Sequence, residues 1–253
     1  NENKVMQTNN TAIIEVENLV KRFGTFTAND NLTFKVYAGE IFGFLGANGA
    51  GKTTTIRILS GLSKPTEGIV KVVGFDAMKQ SESIKKNIGY MSQRFSLYDD
   101  LTVIENIRLF GGIYGLSNKE IRNRSDELVK DLGIENLRKR LVGDIPLGWK
   151  QKLAFSIAII HRPKLIFLDE PTGGVDPLTR RQFWELIYRV AKQGTTVFVT
   201  THYMDEAEYC DRICVLADGQ IKALGEPSNL KHEYQVTSID ELFYRIVKGE
   251  DRV

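Results

Sequence analysis

Apolar positions come in short runs along this chain, and the runs change period as they go. Ile13–Val16 reads as a strand, and Leu32–Val36 alternates as a partner strand would. Glu40–Leu45 is a short apolar run ending in glycine, the pattern of a buried strand that feeds a loop. A helix follows Gly51 through Leu59 and is stopped by Gly61, and Ile69–Val73 and Ile88–Ser92 add two more strands. From about residue 94 to 148 the texture becomes helical: Val103–Phe110 and Lys119–Leu132 carry helical spacing, with faces rich in Lys, Glu, Arg and Asp. Strand character resumes at Leu165–Leu168. Leu178–Ala191 then predicts a helix, and Thr195–Thr200 and Ile213–Leu216 predict strands. Strands alternating with helices imply an α/β fold, a mainly parallel sheet covered on both faces, here interrupted by an inserted helical subdomain. Residues 1–11 are polar and Asn-rich, as a linker would be.

Composition narrows this picture. With 253 residues, the chain suits one large domain or one with an inserted subdomain. Lys plus Arg number 34 against 32 for Asp plus Glu, so the net charge of +2 provides no electrostatic footprint for nucleic acid. Cys210 and Cys214 have no His or Cys cluster beside them, since the histidines are His161, His202 and His232; they read as structural thiols of a reducing compartment. Asn1–Asn10 lacks the apolar core of a secretion signal. The longest apolar run, Leu153–Ile160, is too short to cross a membrane and contains Ser156. A transport role would therefore need a separate membrane-spanning partner.

The sharpest motif is Gly46-Ala47-Asn48-Gly49-Ala50-Gly51-Lys52-Thr53, a full P-loop pattern in its required setting of strand, glycine loop and helix. Its glycines let backbone N–H groups converge on a polyphosphate, and the helix that follows turns its positive end toward the same charge. Lys52 would reach the β- and γ-phosphates and the Thr53 hydroxyl would hold Mg²⁺, with Thr54 completing the nucleotide-binding set. The second motif is Leu165-Ile166-Phe167-Leu168-Asp169-Glu170. An apolar run ending in two carboxylates puts acid at the carboxyl end of a buried strand, where α/β sheets bind ligands. Asp169 would hold Mg²⁺ and Glu170 would act as general base on the attacking water. Taken alone, Asp-Glu after a strand reads equally well as a turn.

In these and four further motifs the chain resembles the nucleotide-binding domains of ABC transporters, over residues 12–228. Tyr90-Met91-Ser92-Gln93 is similar to the Q-loop, Glu170–Asp176 to the Walker B extension and D-loop (Gly174, Val175, Asp176), and Thr200-Thr201-His202 to the H-loop. Phe23 stands where the family stacks an aromatic, usually Tyr, on adenine. Each has a plainer reading: Gln93 as a surface amide, His202 as a capping residue, Phe23 as core. One further segment departs from the family. Its LSGGQ signature corresponds to Ile145-Pro146-Leu147-Gly148-Trp149, with Pro146 for Ser and Leu147 for the first Gly. Losing that hydroxyl donor would cost roughly 1.5–3 kcal/mol of contact to a partner's γ-phosphate. Two expectations compete: a weakened contact, or an inactive surface with a partner cassette supplying the working signature.

The resemblance implies a P-loop NTPase fold. A RecA-like, mainly parallel sheet would carry an antiparallel β subdomain and an inserted α-helical one, followed by a short helical tail over 229–253. It implies ATP and Mg²⁺ as cofactors, with Glu170, His202, Gln93 and Lys52 acting in catalysis. It implies two partners: a second cassette in a head-to-tail dimer and a multi-spanning permease, at the cytoplasmic face of the membrane. Leu97-Tyr98, Thr102–Asn106, Met204–Glu208 and the tail Ser238–Phe243 are similar to drug and polysaccharide exporter cassettes. The opening Asn and the altered signature together raise the expectation of one half of a tandem cassette protein. The rival classes are a translation-associated or DNA-repair ATPase, which carry insertions or coiled coils not seen here, and a regulatory cassette that no longer hydrolyses ATP.

Overall fold

A computed structural model describes residues 11–93 and 96–249. In chain order its elements are β1 (Ala12–Phe23), β2 (Phe26–Tyr37), β3 (Ile41–Leu45), α1 (Lys52–Leu59), β4 (Glu67–Val72), β5 (Phe75–Asp76), α2 (Ser81–Asn87) and β6 (Ile88–Met91). The middle of the chain is helical, with α3 (Val103–Ile113), α4 (Asn118–Leu132) and α5 (Leu147–Ala158). Then come β7 (Leu165–Asp169), α6 (Pro177–Lys192), β8 (Thr196–Thr201), β9 (Arg212–Ala217), β10 (Gln220–Gly225), α7 (Pro227–Glu233) and α8 (Ile239–Lys248).

Two sheets form. One has four strands, ordered β2-β1-β4-β5 and antiparallel throughout; the other has six, ordered β10-β9-β3-β8-β7-β6. In the larger sheet every pairing from β9 to β6 is parallel, and β10 returns antiparallel on β9. The buried strands alternate between two cores, as a period of two demands. Phe42, Phe44, Phe167 and Phe198 face the antiparallel sheet and α1, meeting Phe34 there. Ile41, Leu45, Ile166, Leu168, Val197 and Val199 face Phe155, Phe183 and Trp184 of α5 and α6. With both faces covered, these strands read as unbroken apolar runs, which is why the sequence pattern found them.

The helical insertion has its own apolar cluster, including Val103, Ile107, Leu128 and Val129. Capping boxes start α3 (Thr102 with Glu105) and α4 (Ser117 with Glu120). The expected boundary near 148 falls inside α5, whose Leu153 and Ile157 join the insertion while Ala154, Phe155 and Ala158 join the main core. The other expected end of the insertion, at 94, lies outside the described residues, as do positions 1–10 of the expected linker.

Some elements differ from the pattern reading. β1 and β2 each run 12 residues, because register shifts between Val16 and Lys21 break the alternation without ending the pairing. The short β5, α2 and the edge strand β10 carry no sustained periodicity. The short helical tail packs on the cassette, where Leu230, Tyr234, Val236, Ile239 and Leu242 belong to the main core. Both cysteines are free and buried, and burial pushes their thiols up. Among the described residues no helix is long and apolar enough to cross a membrane.

Candidate nucleotide-binding site

Parallel register brings the motif residues to one edge. Leu45 pairs with Thr201, Asp169 with Thr200, and Leu168 with Met91, so β3, β8, β7 and β6 all end at the same level. The loops beyond those carboxyl ends carry the P-loop, His202, Glu170 and Gln93. This is the edge where open α/β sheets bind ligands.

The P-loop backbone is shaped by close approach. Gly51 has φ +103°, and a Cβ there would collide with the Ala28 carbonyl and come within 2.6 Å of the Asn29 amide nitrogen. Asn29, fully buried in β2, donates to the Gly51 carbonyl (3.2 Å) and to Thr55 Oγ1 (2.9 Å), tying the antiparallel sheet to the start of α1. Lys52 is folded back, its Nζ donating to the carbonyls of Gly46 (2.7 Å) and Ala47 (3.0 Å). Burial lowers its pKa, while Glu170 and Asp169 pull the other way. Ala47, Asn48, Gly49 and Thr53 are exposed around the loop, Thr54 is half-buried and Ala50 is buried.

Glu170 is the centre of the cluster. Gln93 Nε2 donates to its Oε2 (2.8 Å), His202 Nδ1 lies 3.2 Å from the same oxygen, and Lys52 Nζ stands 3.8 Å from Oε1. Its backbone takes φ +47°, a left-handed conformation costing a non-glycine residue roughly 1–2 kcal/mol. The Glu170 N–H is satisfied by the Thr200 carbonyl and hydroxyl, both at 3.1 Å. Thr200 also donates its hydroxyl to Asp169 Oδ1 (2.7 Å). Burial raises the Asp169 pKa; the Thr200 bond opposes that, Glu170 adds to it, and Lys52 opposes it.

A Mg²⁺ ion takes hard oxygen ligands and usually binds through one or two carboxylates plus substrate phosphates. The Asp169 carboxylate, buried at the strand end with its second oxygen not bonded to Thr200, fits such a site together with the Thr53 hydroxyl and the Gln93 amide. Among the described residues there is no cluster of three or more His, Cys, Asp or Glu that could hold a metal without a substrate's help.

The remaining predicted residues lie apart from this cluster. Phe23 is 55% exposed beneath Lys21 Nζ (4.9 Å) and pairs across the hairpin with exposed Phe26, so it is not core. The hairpin end is linked to the P-loop through Asn29, three residues beyond Phe26. Pro146 caps α5 with no side-chain bond, and Leu147 is largely exposed. A Cβ on Gly148 would lie 2.8 Å from Thr179 Cγ2, and one on Gly174 would lie 3.8 Å from Leu147 Cδ2. The altered signature thus packs on its own chain's D-loop. Trp149 is half-buried with Lys152 Nζ over its ring (4.7 Å). Asp176 follows Val175 and caps α6, accepting from Thr179 N–H (3.0 Å) and Oγ1 (2.6 Å); the hydroxyl bond holds its carboxyl below the usual range. Sequence reasoning missed Asn29, whose only signal was a polar residue inside a strand. It also missed Gln151, fully buried, whose Nε2 donates to the Gly173 carbonyl (3.3 Å).

These features define the class: a P-loop nucleoside triphosphatase fold with its phosphate loop and paired carboxylates at one sheet edge. The profile of the ABC transporter family matches residues 29–173. The chain is 43% identical over 245 residues to the probable multidrug ABC transporter ATP-binding protein YbhF of Escherichia coli (strain K12). That alignment covers 95% of this chain and 42% of the relative, so the chain spans under half of the relative's length. It is 38% identical to the daunorubicin/doxorubicin resistance ATP-binding protein DrrA of Streptomyces peucetius, over 89% of this chain and 69% of that one. A solved ATP-binding subunit of an ABC transporter superposes with a TM-score of 0.84 at 30% identity, covering 93% of this chain and 99% of the other. A cassette solved as a dimer in a post-hydrolysis state with ADP and Pi follows at TM-score 0.75 and 28% identity, covering 84% of this chain and 98% of that one. The chain belongs to the ABC transporter family.

Proposed function

We propose that this cassette hydrolyses ATP to drive transport, in the export direction, through a partner membrane subunit at the cytoplasmic face. The observation that carries the ATPase reading is the convergence on Glu170 of side chains from three other motifs: Lys52, Gln93 and His202. ATP entering the P-loop would draw Lys52 from the Gly46 and Ala47 carbonyls to its β- and γ-phosphates, and Phe23 would stack on the adenine. His202 would turn from Glu170 to the γ-phosphate, and Gln93 would turn toward the ion held with Thr53 and Asp169. Glu170, so released, accepts a proton from the attacking water as its oxygen bonds to the γ-phosphorus and the bond to ADP breaks. Mg²⁺, when bound, supplies neutralisation of the phosphate charge.

The exporter reading is supported by relatives named for multidrug, daunorubicin/doxorubicin and Nod factor export. A second cassette, another copy or a tandem half, is supported by related cassettes solved as dimers. The trans contact is weakened rather than absent: α5 opens without a side-chain cap and offers N–H groups at Leu147 and Gly148, while those of Trp149 and Lys150 return to the Pro146 carbonyl (3.0 and 3.1 Å).

Glu170→Gln tests the core of this reading. It keeps shape and ATP binding while lowering turnover by about 10²-fold or more, and it accumulates an ATP-bound dimer; undiminished turnover refutes the role. Affinity purification of the native protein from gently solubilised cells tests the rest. A multi-spanning membrane protein is the expected companion, whereas ribosomal proteins or nucleic acid without one would leave the ATPase and overturn transport.

A further inference from the structure

The segment Met204–Glu208 lies just beyond His202 in the chain, yet none of its side chains enters the cluster around Glu170. It forms a short helical turn, Met204–Tyr209, directly after His202. Its Glu206 is fully buried, and Oε1 accepts a 2.5 Å bond from the hydroxyl of Thr172, itself 1% exposed. Arg180 of α6 places Nε 3.6 Å from the same oxygen, and its guanidinium lies 4.0 Å over the Tyr203 ring. Tyr203 in turn packs on His202, with ring centroids 4.2 Å apart.

From this geometry we propose that Glu206, with Thr172 and Arg180, is a positioning group that sets Glu170 against His202. A buried carboxylate with its guanidinium partner is an expensive way to fill space, and apolar groups of similar volume are often at least as stabilising. What it supplies is a fixed acceptor joining two loops of distant sequence. Thr172 lies two residues beyond Glu170, in a turn whose Gly173 N–H donates back to the Glu170 carbonyl (3.2 Å). Glu206 lies four residues beyond His202, and its own N–H donates to the Tyr203 carbonyl (3.2 Å). Thr172–Glu206–Arg180–Tyr203 therefore forms a brace behind the Glu170–His202 contact, and Gln151 holds the other side of the turn at the Gly173 carbonyl. Glu170 sits in a left-handed conformation that a free turn would relax. The brace keeps its carboxylate aimed where the water must be deprotonated.

The inference rests on the ATPase reading, and the test separates the two. Thr172→Val removes the hydroxyl at equal volume, Thr172→Ser keeps it, and Glu206→Gln removes the charge. With the full chain and Mg-ATP, Thr172→Val and Glu206→Gln lower kcat about tenfold with KM within about twofold, while Thr172→Ser retains most of the turnover. Unchanged kcat in Thr172→Val, or equal losses of kcat, ATP affinity and melting temperature in the Val and Ser variants, overturns the proposal. If the wild type binds ATP without hydrolysing it, the ATPase reading fails and amide hydrogen exchange decides the brace. Faster exchange at 170–176 in Thr172→Val alone, with α4 unchanged, supports it; equal rates overturn it.

Discussion

Gly148 is the one residue of the altered signature that keeps the family's identity, and its neighbour Thr179 provides a quantitative test of why. An added Cβ would stand 2.8 Å from Thr179 Cγ2, well inside ordinary van der Waals contact. Thr179 cannot swing aside freely, because its β-branched side chain is stiff and its Oγ1 is held at 2.6 Å by Asp176. Overpacking of this kind costs about 1–3 kcal/mol. Against it stands a helical gain for Gly→Ala of at most about 0.8–1.0 kcal/mol. Gly148→Ala should therefore lose about 0–2 kcal/mol, with a melting temperature lower by about 2–4 °C for each kcal/mol. Thr179→Ser deletes Cγ2 and leaves the hydroxyl on Asp176. In that background the clash is gone and Gly148→Ala should become stabilising. The double-mutant cycle, read by urea denaturation followed by circular dichroism, should give a coupling of about 1–3 kcal/mol. If Gly148→Ala has the same effect in both backgrounds, packing on Thr179 does not explain the glycine.

Other residues answer to simpler experiments. Phe23→Ala should weaken ATP binding by about 1–3 kcal/mol in calorimetry, the range for a base stacked on an aromatic, and Phe23→Tyr should retain it; unchanged affinity in the Ala variant removes Phe23 from the adenine site. Pro146→Ser with Leu147→Gly should raise ATPase turnover by about tenfold or more, since the restored hydroxyl and open backbone meet charge in the transition state; no gain would favour an inactive surface. His161, stacked on Tyr114 and with Nε2 3.0 Å from the Ile88 carbonyl, is held by burial below the ordinary histidine value, the Ile88 bond opposing and Arg124 adding. The unfolded chain therefore takes up that proton first as pH falls, so stability is present above about pH 6.5 and lost below it. His161→Gln should shrink the drop in urea midpoint between about pH 7.5 and 5.5, and an undiminished drop contradicts this.

Much of the fold was legible in the chain because its signals are local. β3, β7 and β8 each carry a contiguous apolar run (Val197–Val199 in β8), since neighbours on both faces bury every side chain. α3 and α4 announce themselves by helical period, and the structure adds the capping boxes that start them. The P-loop was legible for the same reason, its glycines, Lys52 and Thr53 forming one uninterrupted segment. β10 and the junction of α7 and α8 with the core were not. Their burial depends on partners from elsewhere in the chain, and the bulges of β1 hide half of that strand from any count of alternation.

The sequence by itself determined the class of protein, the phosphate loop, the pair of carboxylates and the residue types around them. Only the tertiary structure decided which of these meet. Gln93 reaches Glu170 across 77 positions because β6 lies beside β7, and Thr200 serves both Asp169 and Glu170 because β8 lies on the other side of β7. The same assembly assigned Gly148 to contact with Thr179, Asp176 to a helix cap, and Glu206 to Thr172. Periodicity reports how each segment faces a core, whereas contacts between loops follow from strand order and register, which are set when distant segments pair.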